Sequence, residues 1–332
     1  MWLIWQPLAR GQRVADPLDF FQPQAMLDAQ ERRRLNAGDV LVKTVRATSR
    51  DVAIFAAVRL DAGGDRLVSW VRRIDALKRG PQVDAIGRFS QPPRLEDMAA
   101  LDLDASDVEA LRRCVPGECG LKLDESDIRA LGALARERAP GWQAQIQQRF
   151  RNALLARTEA YLTQGMASIA AYRDAGTTRQ PVQEFDAILA ASPFLTRHVP
   201  AHVEALRRFP AAGGAGVESF LYWSKESLGG KPIISITHVT ISRHADAALP
   251  DAIVLARQVY ASHYMTGALA VTAVVGGRAG APAYLTYLNR SRLDVLDGMF
   301  AGLARRIIER RLRNEAGQVI DVLRRRLQSG EP

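Results

Sequence analysis

Two histidines and a short aromatic and charged segment are the residues whose types and spacing can do chemistry in this chain. His238 lies within 232–242 and His263 within 258–275, two stretches rich in β-branched and aromatic residues that read as strands. Alternation puts Ile234, Ile236, His238 and Thr240 on one face of the first. In the second, Ala261, His263 and Met265 share a face, with Ser262 and Tyr264 opposite. Antiparallel pairing would bring both imidazoles to one cavity, where they can hydrogen-bond a ligand headgroup, move a proton or hold a metal. The competing reading for each is a core or edge histidine satisfied by a neighbour. Tyr222, Trp223, Ser224, Lys225 and Glu226 form the second candidate. Alternation separates Tyr222, Ser224 and Glu226 from Trp223 and Lys225, and a lysine and a carboxylate beside two aromatics can line a pocket with a polar floor. An exposed strand with solvated charges is the plainer reading. At 289–294, Arg290 or Arg292 can clamp a carboxylate or phosphate, whereas Ser291 or Asp294 can simply cap the following helix.

Catalytic signatures are absent: there is no Gly-x-Ser-x-Gly elbow, His-Glu-x-x-His pair, phosphate-cradling Gly-rich loop or dinucleotide fingerprint. His198 and His202 are four apart, but Pro200 interrupts them at a helix start. The two cysteines, Cys114 and Cys119, flank a Pro116-Gly117 turn signal that brings them within disulfide reach. So small a loop contributes only about 2 kcal/mol by chain entropy. Zinc needs about four ligands and none completes the set, so a disulfide is favoured over a metal, with two free thiols as the remaining reading. No cofactor is expected.

The elements that must position these residues fall into blocks. An N-terminal arm (1–36) carries Phe20 and Phe21, expected to pack on the body, and a helical stretch at 25–35. A first α/β block (37–123) holds strands at 40–47 and 52–60, an amphipathic helix at 66–78 and a short strand at 82–89. A helical insertion (124–210) and a Gly-rich link at 211–216 follow. The last block (217–328) reads as four strands, at 217–228, 232–242, 259–275 (bent at Gly267) and 283–289, with a hairpin signal at Gly229-Gly230 between the first two. A long amphipathic helix from about 293 closes the chain.

Bulk composition sets the outer bounds. The 332 residues are 47% apolar and 24% charged, the balance of a folded chain. No window reaches the ~18–20 apolar residues of a membrane-spanning helix. The apolar start breaks at Pro7, so no export signal is visible. The location stays open between the two readings: periplasmic if the natural start lies upstream, otherwise cytoplasmic. A net charge of +9 suits an anionic partner or reflects plain arginine usage. The closing helix carries eight basic against three acidic residues over 301–328, without the aromatic interleaving of a nucleic-acid module. No nucleic-acid partner is expected, while an anionic membrane surface is one candidate.

The strand at 53–60, the helix at 66–78, the four late strands and the closing helix resemble a START-type helix-grip domain in element order, over roughly 50–90 and 217–328. The chain also resembles uncharacterised bacterial proteins carrying Tyr-Trp-Ser-Lys-Glu and Ser-His-Tyr-Met segments. The resemblance implies an α+β fold in which a curved antiparallel sheet wraps a long C-terminal helix around a cavity for lipids or other apolar molecules. The leading expectation is thus a hydrophobic ligand held between sheet and helix, its headgroup met by Tyr222, Lys225, His238, His263, Tyr264 and Arg292. The alternatives are an enzyme using His238 or His263 as general base in that cavity, and a protein working at a membrane surface or on a partner.

Overall fold

The computed structural model describes residues 16–211, 216–227, 230–246, 248–277, 281–298 and 301–330. The apolar start, most of the link at 211–216 and Gly229 lie outside them. Among the described residues the helices are α1 (Ala29–Asn36), α2 (Gly64–Arg72), α3 (Ile74–Lys78), α4 (Ala105–Ala110), α5 (Glu125–Glu137), α6 (Trp142–Gln164), α7 (Pro181–Ala190), α8 (Pro193–His198), α9 (Pro200–Arg207) and α10 (Ala301–Ser329). The strands are β1 (Leu41–Thr44), β2 (Asp51–Leu60), β3 (Val83–Arg88), β4 (Glu218–Glu226), β5 (Ile233–Arg243), β6 (Ala252–Ala261), β7 (Met265–Gly276) and β8 (Ala283–Leu293). They form one open, wholly antiparallel sheet in the order β1-β2-β8-β7-β6-β5-β4-β3. The fold class is α+β, with a long C-terminal helix.

Three layers result, because both faces of the sheet are apolar and both need cover. Behind it, Phe185, Ile188 and Leu189 of α7, Phe194 and Leu195 of α8, and Val203 and Leu206 of α9 pack on Phe55, Leu255, Leu269, Val271 and Leu288. Phe20 and Phe21 join that core, with the Phe21 and Phe55 rings 5.2 Å apart. Further along the same face, Ile128 and Leu131 of α5 and Ile146, Phe150 and Leu154 of α6 meet Leu221, Trp223, Ile234 and Ile236. In front, α2, α3 and α10 cover one end of the strands. Leu67, Val71 and Ile74 meet Ala316, Ile320 and Leu327 over Val58, Val254, Ile241 and Leu285.

The last strand runs on to Leu293, so the closing helix expected from about 293 begins at Ala301, and two further expected elements change. The stretch expected as one bent strand at 259–275 is a hairpin: β6 ends at Ala261 and β7 begins at Met265. The turn uses Tyr264 in a left-handed conformation (φ 62°), so neither Gly, Pro nor Asn announces it. The helix expected at 66–78 breaks in two at Arg73, where the backbone leaves the helical region (φ −106°, ψ 58°). Cys114 and Cys119 lie within disulfide distance, Cα to Cα 4.5 Å.

Candidate functional site

Strand register decides which side chains share a surface. Across the sheet, Ile54 pairs with Asn289, Asn289 with Ala270, Ala270 with Ala256 and Ala256 with Val239. A parallel row runs from Val52 through Ser291 to Ala268, and on from Gln258 through Thr237 to Tyr222. Both rows lie on the front face, beside the end that α2 and α3 cover. Burial along β7 shows what this means. Leu269, Val271 and Ala273, facing back, are fully buried, whereas Ala268, Ala270 and Thr272, facing front, are half-exposed. Ala256, Tyr287 and Asn289 are half-exposed beside them. Small side chains on a sheet face leave its surface low, and a helix crossing above cannot close the gap. The first half of α10 touches this region at its side, through Ala304, Ile308 and Leu312 against Val52, Leu293 and Leu296. The front face therefore keeps a half-buried strip of small residues beside α10, which we call the front groove.

Polar groups gather at its rim. The Lys78 ammonium bonds Glu226 Oε1 at 2.5 Å and lies 3.4 Å from the Tyr222 hydroxyl and 5.3 Å from its ring centre. Ser224 donates to Glu226 at 2.6 Å and lies 3.1 Å from Ser235 Oγ. Burial opposes the charge on both members of the ion pair; Tyr222 and Glu226 together outweigh it at Lys78, and Lys78 outweighs it at Glu226. Lys78 is therefore raised above the usual lysine value and Glu226 held below the usual carboxylate range. On β8, Asn289 donates to Tyr287 Oη at 3.1 Å and Ser291 to Asn289 at 2.7 Å. Burial pushes the Tyr287 phenol up, keeping it a neutral donor. Such a surface can orient the polar end of a mostly apolar molecule.

Of the residues singled out in the sequence, Tyr222 sits in this groove, and Ser224 and Glu226 share its face as alternation requires. The others do not. Lys225 points back, paired with Asp104 at 2.7 Å. His238 points back too. Its Nδ1 meets the Tyr161 hydroxyl at 2.7 Å, its ring lies 4.4 Å from that of Phe209, and burial pushes it down to about 3. Beside it Arg257, in register with His238, donates to the Leu206 carbonyl at 2.7 Å and to the Tyr161 hydroxyl. Arg292 points back as well, its Nε donating to Glu184 of α7 at 2.7 Å. His263 is in the β6–β7 turn, not on a strand, held by Asp107 at 2.9 Å and the Gly120 carbonyl at 2.7 Å. Tyr264 is exposed in the same turn, its hydroxyl accepting from the Lys231 amide at 3.0 Å. The expectation of one cavity shared by His238 and His263 is therefore corrected, because helices α4 to α9 supply each with its own partner behind the sheet.

Sequence reasoning missed Lys78, Tyr287 and Asn289. Lys78 ends a short helix and reads as its solvated side, while Tyr287 and Asn289 alternate within 283–289 and were open to the same face argument that found Tyr222. Among the described residues no three His, Cys, Asp or Glu are grouped to hold a metal, and no helix is long and apolar enough to cross a membrane. No family model and no curated protein matches the chain. Among solved structures it is similar to the crystal structure of TTHA0849 from Thermus thermophilus. That likeness stands at 11% identity and a TM-score of 0.25, over 45% of this chain and 90% of that one. It is too faint to carry an argument.

Proposed function

We propose that the chain is a helix-grip protein of START type that binds a lipid or other hydrophobic small molecule in the front groove, between the sheet and α10. The supporting observation is the asymmetry of the sheet: a sealed back and a half-exposed front floor of Ala256, Ala268, Ala270 and Thr272. The ligand's apolar body lies over the alanines and its polar end meets Tyr222, Lys78, Tyr287 and Asn289. Because Glu226 already neutralises Lys78, the rim suits a hydroxyl, carbonyl or amide better than a bare anion. The histidine general base of the enzymatic alternative has no place here, since His238 and His263 lie outside the groove with partners of their own.

Native mass spectrometry of the purified protein, followed by organic extraction, tests the reading. A defined apolar molecule is expected to co-purify with the natural chain and to be lost from Ala270→Phe, which fills the floor. A ligand retained by Ala270→Phe, or apolar probes that bind neither protein, would count against it.

A further inference from the structure

We infer that the first half of α10 is a docking surface for an anionic lipid bilayer. Leu303 and Ile307 are 57% and 60% exposed, large apolar side chains one helical turn apart that join no apolar cluster of the described residues. Arg306, Arg310 and Arg313 are exposed beside them, and none has a hydrogen-bond or ion-pair partner among the described residues. At about 100° per residue the five fall in one solvent-facing arc, opposite the side on which Ala304, Ile308 and Leu312 pack. The remaining arginines of the helix are otherwise engaged. Arg305 donates to the carbonyls of Thr48, Ser49 and Asp51, Arg311 pairs with Glu315, Arg324 and Arg325 pair with Asp321, and Arg326 holds the Leu77 and Arg79 carbonyls.

Two apolar side chains flanked by three uncommitted guanidinium groups, on a chain of net charge +9, match an interface that is apolar within and negative at its surface. A protein partner would have to supply both a carboxylate cluster and an apolar socket, whereas an anionic bilayer offers both everywhere. The surface acts whether or not the groove holds a ligand, so its test is separate from that of the binding reading.

Co-sedimentation of the full chain with phosphatidylcholine vesicles, with and without phosphatidylglycerol, tests it at low and high salt. Binding is expected only with phosphatidylglycerol and is expected to weaken with salt. Reversing the three charges in R306E/R310E/R313E is expected to weaken it about 100-fold or more, near fivefold per arginine. Leu303→Gln with Ile307→Gln, whose exposed sites leave the thermal midpoint unchanged, is expected to weaken it as well. The inference is overturned if phosphatidylglycerol confers no binding, or if binding survives both variants. It is also overturned if the leucine and isoleucine changes dissolve a dimer of this chain while vesicles go unbound.

Discussion

At the scale of single residues, the buried polar groups behind the sheet make sharp demands. His238 is held down at about 3 and His202 at about 4, both by burial first, with each neighbouring histidine adding repulsion. Both stay neutral in the folded chain while the unfolded chain protonates them near pH 6.5. Their contribution is present above pH 6.5 and is lost as pH falls from there toward 4, at about 1.4 kcal/mol per pH unit for each. Urea unfolding at a series of pH values is expected to show this slope, and His238→Asn to remove about half of it. An unchanged slope would place the proton uptake elsewhere. Glu184 makes a second demand: its carboxylate receives Arg292 at 2.7 Å, Thr266 at 2.7 Å and Arg50 at 3.1 Å. Removing it leaves the recessed Arg292 guanidinium without a carboxylate and Arg50 with Asp297 alone, so Glu184→Ala is expected to cost about 3–5 kcal/mol in chemical denaturation. A loss below about 1 kcal/mol would show that the arginines reach water.

At the scale of elements, α10 divides into two halves with different work. Its second half is anchored by Ala316, Ile320 and Leu327, and Ile320→Ala is expected to lower stability by about 2–5 kcal/mol. Leu303→Ala, in the exposed half, is expected to change it by no more than about 0.5 kcal/mol. Equal losses at the two positions, read from denaturant midpoints, would contradict the division. The closing helix and most of its stripe were legible from apolar spacing, because 3.6-residue periodicity is a local signal. So were β2, β4 and β5, from β-branched residues bounded by turn residues. The β6–β7 hairpin was not, because Ser262, His263 and Tyr264 make a turn without Gly, Pro, Asn or Asp, held by Asp107 and Gly120 from distant parts of the chain.

At the scale of the whole molecule, a sheet of eight strands with two apolar faces needs helices on both sides, and the described helices fully cover one side only. The α5–α9 block, which corresponds to the helical insertion expected at 124–210, covers the back together with α4, which leaves α2, α3 and α10 to share the front and the groove open between them. Alternation along 222–226 settled by itself that Tyr222, Ser224 and Glu226 share a face, and periodicity settled that a long amphipathic helix ends the chain, since both depend only on neighbours in sequence. Which face carries the groove, and therefore that Tyr222 lines it while Lys225, His238 and Arg292 bond the helical layer, was decided by the tertiary structure. A strand's two faces are equivalent until something packs on one of them, and the helices that do so here lie tens of residues away.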